Sequence, residues 1–478
     1  MINARKTKII ATLGPASSSL ETIERLTLEG VNVFRLNFSH GTHEDHLHCI
    51  TCIRKISKKC GKTSAILADL QGPKLRVGTF VKTRETLQQG AEFSLHLKTV
   101  DGTINHVQLP HEEIFSAIRP GDQILINDGR IVLEALHAGG GVIKTLVRRG
   151  GEISDHKGVN VPGINLDISA ITTKDLTDLT FALSHEVDWV ALSFVQSAQD
   201  VKNAKHYIQG RARILSKIEK PQALNDLTNI IFESDAVMVA RGDLGVELDV
   251  EDVPPVQHRI IDMCRKMRTP VVVATQMLES MIVCETPTRA EVTDVAEAVY
   301  AGVDAVMLSA ESASGKYPIE SVQMMNRIIV RVEKDPQYTE RIYRFSHTMP
   351  LADGHSAFVQ AATNVTQGLS VKAIVCFSTS GATALASAVS RPRVPILCLT
   401  PSIKTANYVN LVWGVHGHIA RNVMTMPNMV EEACAHVVTH GYGREGDSIL
   451  ITAGLPFGVS GPPNVLRLVE IGNTCTYE

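Results

Sequence analysis

The sequence predicts an α/β fold, namely a (β/α)8 TIM barrel with a small inserted β-barrel domain and a separate C-terminal α/β domain. Eight short, almost continuously apolar segments alternate with stretches of helical periodicity. The alternation stops between about residues 73 and 166, and a third block with its own alternation begins near residue 345. These three observations together predict the fold class.

The eight predicted barrel strands are apolar along nearly their whole length, as strands buried on both faces are. They are residues 8–13, 32–37, 64–69, 189–194, 214–219, 236–241, 270–275 and 305–309. Helices are predicted after the first two strands, at 20–28 and 46–60. Eight strand–helix units close a barrel, and a doubly wound open sheet is the alternative.

The interruption after the third strand predicts a domain of a different kind. Short β-like segments separated by Gly- and Asp-rich turns occur at 92–97, 123–126, 130–133 and 141–147. Because the insertion follows a barrel strand, its base should lie at the face where such barrels carry their active sites.

The last block opens with a polar segment at 346–356 and has strand-like segments at 373–377 and 448–452, as a separate α/β domain would. The predicted domains are therefore the barrel at 1–72 and 167–345, the insertion at 73–166, and the C-terminal domain at 346–478.

Composition excludes several classes of protein. Among 478 residues, 47 are Lys or Arg and 50 are Asp or Glu, so the formal net charge of −3 does not suit binding of long nucleic acids. No apolar run approaches the roughly 20 residues that span a bilayer, and the first residues do not resemble an export signal. Nine cysteines, an odd number, fit a reduced cytoplasmic location.

Polar side chains follow nearly every predicted barrel strand. A charged group near a core is costly unless it is paired, so their convergence indicates a polar ligand. Any single hydroxyl could merely cap the next helix, but a lysine with two carboxylates is harder to explain in that way. In chain order the residues are Arg35, Asn37, Ser39, His40, Asp69, Ser193, Lys217, Glu219, Arg241, Asp243, Thr275, Gln276, Ser309 and Glu311.

Lys217, Glu219 and Asp243 form the most informative part of this set. Glu219 and Asp243 end neighbouring strands, and two such carboxylates suit a divalent cation in the Mg²⁺ style, with few protein ligands. Lys217 shares a strand face with Glu219, so its ammonium could stabilise charge on a phosphoryl group or an enolate. Arg35 and Arg76 offer forked donors for phosphate or carboxylate.

Two other patterns give less information about function. A lysine-containing Gly-Lys-Thr segment at 61–63 lacks the first glycine of a phosphate-binding loop, because Ile56 stands there. His40, His43, His46 and His48 are more plausibly the polar start of a helix than a zinc site, because no tetrahedral ligand spacing emerges.

Several segments resemble the pyruvate kinase family, over essentially the whole chain. They are RLNFSHG (35–41), KGVNVPG (157–163), ILSKIE (214–219), MVARGDLGVE (238–247), ATQMLESM (274–281) with PTRAE (287–291), and VMLSAE (306–311). The resemblance implies transfer of phosphate from phosphoenolpyruvate to ADP, giving pyruvate and ATP in the last step of glycolysis, with Mg²⁺ or Mn²⁺. It also implies a homotetramer.

The resemblance implies roles for individual residues. Lys217 would neutralise the phosphoryl group in transfer and the enolate, while Arg35 would bind the phosphate. Thr275 would belong to the proton path to the enolate carbon. Glu219 and Asp243 would hold Mg²⁺, Ser309 and Glu311 would assist the proton path, the backbone of Ala240, Arg241 and Gly242 would cradle the carboxylate, and Asn37, His40, Arg76, Lys157 and Asn160 would face the nucleotide. The inserted domain would close as a lid and exclude water.

One departure from the family concerns a monovalent cation. Many members hold K⁺ with Asn, Ser, Asp and Thr and carry a Glu shortly afterwards. Asn37, Ser39 and Asp69 remain here, but Leu70 replaces the Thr and Lys74 replaces the Glu. Leucine lacks a side-chain oxygen and the ammonium can supply a charge, so we expect activity without K⁺, as in the subgroup with Lys at this place.

The C-terminal domain contains a candidate effector site. The residues Ser378, Thr379, Ser380, Gly381 and Thr383 follow a strand and should open a helix, whose N-terminus suits phosphate. Spacing alone is equally consistent with a plain helix cap. The resemblance favours an allosteric sugar-phosphate or nucleotide site, with 454–464 as a covering loop.

Two other functions remain open at the level of sequence. A Mg²⁺-dependent lyase that forms a pyruvate enolate would use similar carboxylates but would need no nucleotide lid. A metabolite sensor without catalysis would keep only the effector domain, although the intact Lys217, Glu219 and Asp243 argue against it.

Overall fold

The computed structural model describes residues 5–164, 166, 168–348, 354–456 and 463–472. Eight parallel strands close a barrel in which each strand pairs with its neighbours in sequence and the eighth pairs with the first. Because the sheet is closed, the alternative of a doubly wound open sheet is excluded. Barrel strands 1 to 8 are Lys8–Leu13, Val33–Asn37, Ala65–Asp69, Trp189–Leu192, Arg213–Ile218, Ala236–Ala240, Val271–Ala274 and Ala305–Leu308.

The helices around the barrel bury one face against the outer side of the strands, in a continuous apolar layer. The second helix begins at His43 rather than at the predicted residue 46, because Thr42 and Asp45 form a capping box there. The helices of this part are Leu20–Leu28, His43–Cys60, Thr173–Ser184, Ala198–Ile208, Leu227–Glu233, Arg241–Glu247, Val253–Met267, Arg289–Tyr300, Ala310–Ala313, Pro318–Glu333 and Pro336–Thr348.

The histidines at the start of the second helix make structural contacts, as the sequence predicted. His43 Nε2 lies 2.8 Å from Asp178 Oδ1. The His46 ring packs on Phe38, with ring centroids 4.2 Å apart. His46 Nε2 also lies 3.1 Å from the carbonyl oxygen of His40.

The insertion is a β domain with its own apolar core. Its strands form one sheet of six and one of two, and its helix is Glu112–Ala117. The predicted strand at 130–133 continues to Gly139. The strands are Arg84–Leu87, Glu92–His96, His106–Gln108, Gln123–Ile126, Ile131–Gly139, Val142–Arg149, Gly151–Ser154 and Val159–Asn160.

The C-terminal domain is a five-stranded sheet flanked by helices. In spatial order its strands are Val415–Ile419, Ile396–Thr400, Val371–Phe377, Ser448–Ala453 and Val465–Glu470, and only the last is antiparallel. Its helices are Gly354–Gly368, Ala382–Val389, Ile403–Tyr408 and Met426–Thr439. The predicted segment 346–356 lies partly outside the described residues. The domain boundaries stay a prediction.

Buried polar contacts join the C-terminal domain to the barrel. Asp304 Oδ2 accepts hydrogen bonds from Val271 N at 2.9 Å and from the Arg391 guanidinium at 3.2 Å. Asp304 Oδ1 accepts one from Trp413 N at 3.1 Å.

None of the helices in the described ranges has both the length and the apolar character that a bilayer-spanning helix requires.

Candidate active site

The inward-facing side chains of the barrel change from apolar to charged along strands 2, 3 and 5. Val33, Leu67 and Leu215 lie in the buried interior. Two residues further along the same strands, and therefore on the same face, stand Arg35, Asp69 and Lys217. A charged layer thus follows the apolar one at the carboxyl ends of the strands, where barrel enzymes place their active sites.

Asp69 and Lys217 are the centre of this charged layer. Asp69 Oδ2 accepts a hydrogen bond from Arg35 Nε at 2.6 Å, and Asp69 Oδ1 accepts one from Lys217 Nζ at 3.1 Å. Lys217 Nζ also donates to Ser193 Oγ at 2.7 Å and lies 3.0 Å from Glu219 Oε1. The ammonium therefore has three oxygen partners and a fixed position.

These contacts decide the charges of the buried groups. Burial is the largest influence on the pKa of Lys217 and acts to lower it, but Asp69 and Glu219 outweigh burial and raise this pKa. Burial likewise opposes ionisation of Asp69, yet Lys217 and Arg35 hold its pKa below the ordinary value. The lysine is thus an ammonium and Asp69 is a carboxylate, although both are at least nine-tenths buried.

Glu219 and Asp243 are neighbouring carboxylates, as the sequence predicted. Glu219 Oε2 accepts a hydrogen bond from Phe194 N at 2.8 Å. Burial and the nearby charge of Asp243 raise the pKa of Glu219, against the opposing effect of Lys217. Asp243 lies in the first turn of the helix after strand 6 and lines a cavity of about 40 Å³ together with Lys220. This pair leaves excess negative charge beside Lys217.

Thr275 follows strand 7 in a left-handed conformation, with φ of 70°. Such a conformation is uncommon for a β-branched residue and is typical of functional sites. Its Oγ1 accepts a hydrogen bond from Gly242 N at 2.7 Å and donates one to Ala274 O at 2.6 Å. The structure therefore brings the predicted proton-path hydroxyl against the backbone predicted to cradle a carboxylate.

Arg241 is held away from the charged centre. Its guanidinium donates to Thr275 O at 2.7 Å and pairs with Asp294 Oδ1 at 2.6 Å. The side chain thus stabilises the loop after strand 7. The peptide groups of Ala240 and Gly242 lie beside this loop, and Gly242 N donates to Thr275 Oγ1.

Glu311 joins the ends of strands 7 and 8. Its carboxylate is buried and accepts hydrogen bonds from Leu278 N at 3.2 Å and Ser309 N at 2.7 Å. Burial raises its pKa, although these backbone donors oppose the rise. Within the described part of the chain, Ser309 Oγ is buried without a hydrogen-bond partner.

The five predicted nucleotide residues lie on the barrel rim and the insertion. Arg76 donates to His156 O at 2.7 Å, and Asn160 Nδ2 donates to Glu247 Oε1 at 2.8 Å. Asn37 Oδ1 accepts from Ser39 N at 3.1 Å, and Lys157 O accepts from Val77 N at 3.0 Å.

The fifth of these residues, His40, is exposed. Partial burial and the positive charges of Lys74, Arg76 and Arg35 lower its pKa. These cations therefore form one positive region near the mouth of the barrel.

Leu70 and Asp69 occupy the predicted monovalent-cation region. The Leu70 side chain belongs to the apolar core, with 2% of its surface exposed, and its carbonyl oxygen accepts from Ser193 Oγ at 2.7 Å. Both Asp69 oxygens bind the cationic side chains described above, and Lys74 is exposed.

The predicted effector residues form a tight turn into the helix Ala382–Val389. Gly381 has φ of 73°, and a Cβ there would overlap the Tyr408 hydroxyl, which donates to Ser380 O. Thr379 O accepts from Thr405 Oγ1 at 2.8 Å. Ser378 N donates to Leu399 O, and Thr383 is buried. Of the predicted covering loop, residues 457–462 lie outside the described residues.

Sequence reasoning missed some partners. Lys220 and Glu247, both on the barrel, form an ion pair. Glu247 also accepts a hydrogen bond from Asn160 of the insertion, so Glu247 connects the barrel to the insertion. Glu247 is the last residue of the segment 238–247, which resembles the family, and this resemblance could have indicated a role for it. Asp294, the partner of Arg241, lies on a later helix and gave none.

The chain matches known proteins along its length. Residues 4–322 match the family described as pyruvate kinase, barrel domain, and residues 356–469 match pyruvate kinase, alpha/beta domain. The chain therefore belongs to the pyruvate kinase family, and it is a phosphotransferase.

Individual relatives agree with this assignment. A pyruvate kinase of Agrobacterium vitis is 46% identical over 98% of this chain and 99% of its own length. One from Methylorubrum extorquens is 45% identical over 98% of both. The crystal structure of a pyruvate kinase from Cryptosporidium parvum superposes with a TM-score of 0.92 at 31% identity, covering 98% of this chain and 96% of that one.

We expect Asp69→Asn to lower kcat at least about 100-fold, because the neutral amide no longer holds both Lys217 and Arg35 by charge. Steady-state phosphotransfer kinetics measure the effect, and thermal unfolding of the same samples reports on the fold. Asp101→Asn, at an exposed residue of the insertion, is the matched control. A kcat within twofold of the wild-type value would contradict the assigned importance of Asp69.

Proposed function

We propose that this protein transfers the phosphoryl group of phosphoenolpyruvate to ADP and releases pyruvate and ATP, as the last step of glycolysis. The observation that carries the proposal is the buried Lys217 ammonium, held by Asp69, Ser193 and Glu219 beside Arg35. A fixed cation at the mouth of a barrel suits a reaction in which negative charge moves between phosphoryl and enolate oxygens.

The residues of the chain divide the chemistry between them. Arg35 binds the phosphate of the substrate, and Lys217 stabilises the phosphoryl oxygens in transfer and then the enolate oxygen. The backbone of Ala240, Arg241 and Gly242 binds the substrate carboxylate, which competes with Thr275 Oγ1 for the Gly242 N–H.

The enolate that remains after phosphoryl transfer needs a proton on carbon. Thr275 lies at the end of this path. Its hydroxyl donates to Ala274 O in this structure and would turn from that oxygen to pass a proton to the enolate carbon. Glu311 and Ser309 support the path, since Glu311 fixes the backbone at the ends of strands 7 and 8.

Glu219 and Asp243 would hold Mg²⁺ or Mn²⁺. The donor set fits, because both groups are carboxylates, lie close enough for Asp243 to raise the pKa of Glu219, and leave excess negative charge. When bound, the ion supplies positive charge to the phosphoryl and enolate oxygens. Lys217 keeps Glu219 oriented through its contact with Oε1.

Arg76, Lys157, His40, Asn160 and Asn37 face the nucleotide in this proposal. The positive region around His40 suits the phosphates of ADP. The inserted domain acts as a lid that excludes water, and the Asn160–Glu247 hydrogen bond supplies a contact between lid and barrel. A cytoplasmic location and a homotetramer complete the proposal.

The direct test is an assay of ATP formation from ADP and phosphoenolpyruvate with Mg²⁺. We expect ATP and pyruvate to form in equal amounts. A lyase would form or cleave carbon–carbon bonds without need of ADP, and a sensor would give no turnover, so either result would overturn the proposal.

We further propose that the enzyme does not need K⁺. Support comes from Leu70, whose apolar side chain offers no oxygen, and from the ammonium of Lys74, which belongs to the positive region around His40. We expect the wild type to keep at least about half of its kcat when tetramethylammonium replaces K⁺. Activity that falls to background under these conditions would refute the proposal.

A second variant sharpens this test. We expect Lys74→Glu to lose activity at least about tenfold in K⁺-free buffer and to regain it with added K⁺, because the ion then replaces the ammonium. Lys144→Glu, an exposed lysine of the insertion, should respond to K⁺ as the wild type does.

We propose that Ser378, Thr379, Ser380, Gly381 and Thr383 bind a phosphorylated allosteric effector. The support is a helix N-terminus after a glycine with left-handed backbone, next to an open cavity of about 510 Å³ that Ser380 and Lys404 line.

We expect at least one sugar phosphate or nucleotide from a panel to lower the half-saturating phosphoenolpyruvate concentration at least about fivefold. Ser380→Glu should abolish this response through charge repulsion, whereas Ser116→Glu, on the insertion, should retain it. If every compound leaves the saturation curve unchanged, the effector site is refuted.

A further inference from the structure

A second cluster of metal-ligating side chains lies in the C-terminal domain, at the edge strand Val415–Ile419 and the helix Met426–Thr439. His436 and His440 are four residues apart on one face of the helix end, and His418 projects from the strand towards them. One ligand atom of each histidine lies within 4.8 Å of the others. Among the described residues, only this set of three brings metal-ligating side chains so close together.

The hydrogen bonds leave one nitrogen of each ring for another partner. His440 Nδ1 lies 2.9 Å from the carbonyl oxygen of His436 and donates to it, so Nε2 is the nitrogen left for another partner. His418 Nε2 and His436 Nδ1 are buried, and nothing in the described ranges hydrogen-bonds to them. Buried polar nitrogens without partners are costly and rare in native proteins.

Aromatic packing explains only part of this arrangement. The His418 and His440 ring centroids lie 4.3 Å apart, and the His436 and His440 rings are stacked at 5.4 Å. Packing of this kind accounts for the proximity of the rings. It does not account for two buried nitrogens without partners in one half-buried cluster.

The surroundings favour the metal-binding form of these side chains. Glu432 Oε1 lies 3.4 Å from His436 Nε2. A carboxylate on the far nitrogen of a ligating imidazole is the usual outer partner of a metal-bound histidine.

We propose that His418, His436 and His440 form a three-histidine site for a late first-row divalent cation, for which Zn²⁺ is the best fit. Three imidazoles with an open fourth position are a common zinc environment. The ion would join the edge strand of the sheet to the last helix of the domain.

The site is separate from the proposed active site. His418 and His440 line a cavity of about 510 Å³ whose other walls include Asn32 and Ser64, immediately before barrel strands 2 and 3. The cavity therefore opens at the amino ends of the barrel strands, opposite the face that carries Lys217. Its size gives a hydrated cation a path to the histidines.

Titration of the full-length protein with Co²⁺ tests the proposal, with excess Mg²⁺ present to occupy the carboxylate site. We expect one equivalent of Co²⁺ to produce the visible absorption of tetrahedral nitrogen coordination, and Zn²⁺ to displace it. His418→Gln and His440→Gln should each weaken Co²⁺ binding at least about 100-fold. His258→Gln, at an exposed histidine of the barrel, should bind as the wild type does.

A second measurement tests whether the variants still fold. Unfolding temperatures in chelator-treated buffer compare the folds, and added Zn²⁺ should raise the unfolding temperature of wild type and His258→Gln only. If the glutamine variants do not fold, anomalous scattering from Zn²⁺-soaked wild-type crystals decides. Density among the three histidines supports the site, whereas absent binding, unchanged affinity in the variants or density elsewhere overturns it.

Discussion

The balance of charge around Lys217 is the constraint on which the rest of the site depends. Asp69 and Glu219 are almost fully buried, and each would be unstable as an isolated anion. Contacts to Lys217 and Arg35 hold the pKa of Asp69 below its ordinary value, whereas burial and Asp243 raise the pKa of Glu219 against the effect of Lys217. Loss of one member of a buried ion pair costs about 3–5 kcal/mol. Asp243 then adds negative charge that these side chains do not cancel, which is why a divalent cation suits the site.

The order of the strands around the barrel brings these charged side chains together. Arg35, Asp69, Ser193 and Lys217 come from strands 2, 3, 4 and 5 or their ends, which are neighbours in the closed sheet. The side chains therefore meet without any long excursion of the chain. The later strands contribute the left-handed Thr275 and the buried carboxylate of Glu311.

Much of this arrangement could be predicted from the sequence, because strand alternation is a local property. The apolar runs located all eight barrel strands, and their period placed Lys217 and Glu219 on one face. The double contact of Asp69 could not be predicted in this way, since it depends on the closure that brings strands 2, 3 and 5 together. The second helix starts earlier than its apolar periodicity predicts, because the capping box of Thr42 and Asp45 adds a polar first turn. The cluster of His418, His436 and His440 combines a strand with a helix end, so no single period in the sequence reveals it.

The most direct test of the account is the turnover of Lys217→Met, measured as ATP formation at saturating phosphoenolpyruvate and ADP. Methionine keeps most of the length of the side chain but removes the charge, and Lys144→Met on the insertion provides the control. We predict a fall in kcat of at least about 1000-fold, with the control unchanged. A Lys217→Met enzyme that turns over within a few-fold of the wild type would contradict it.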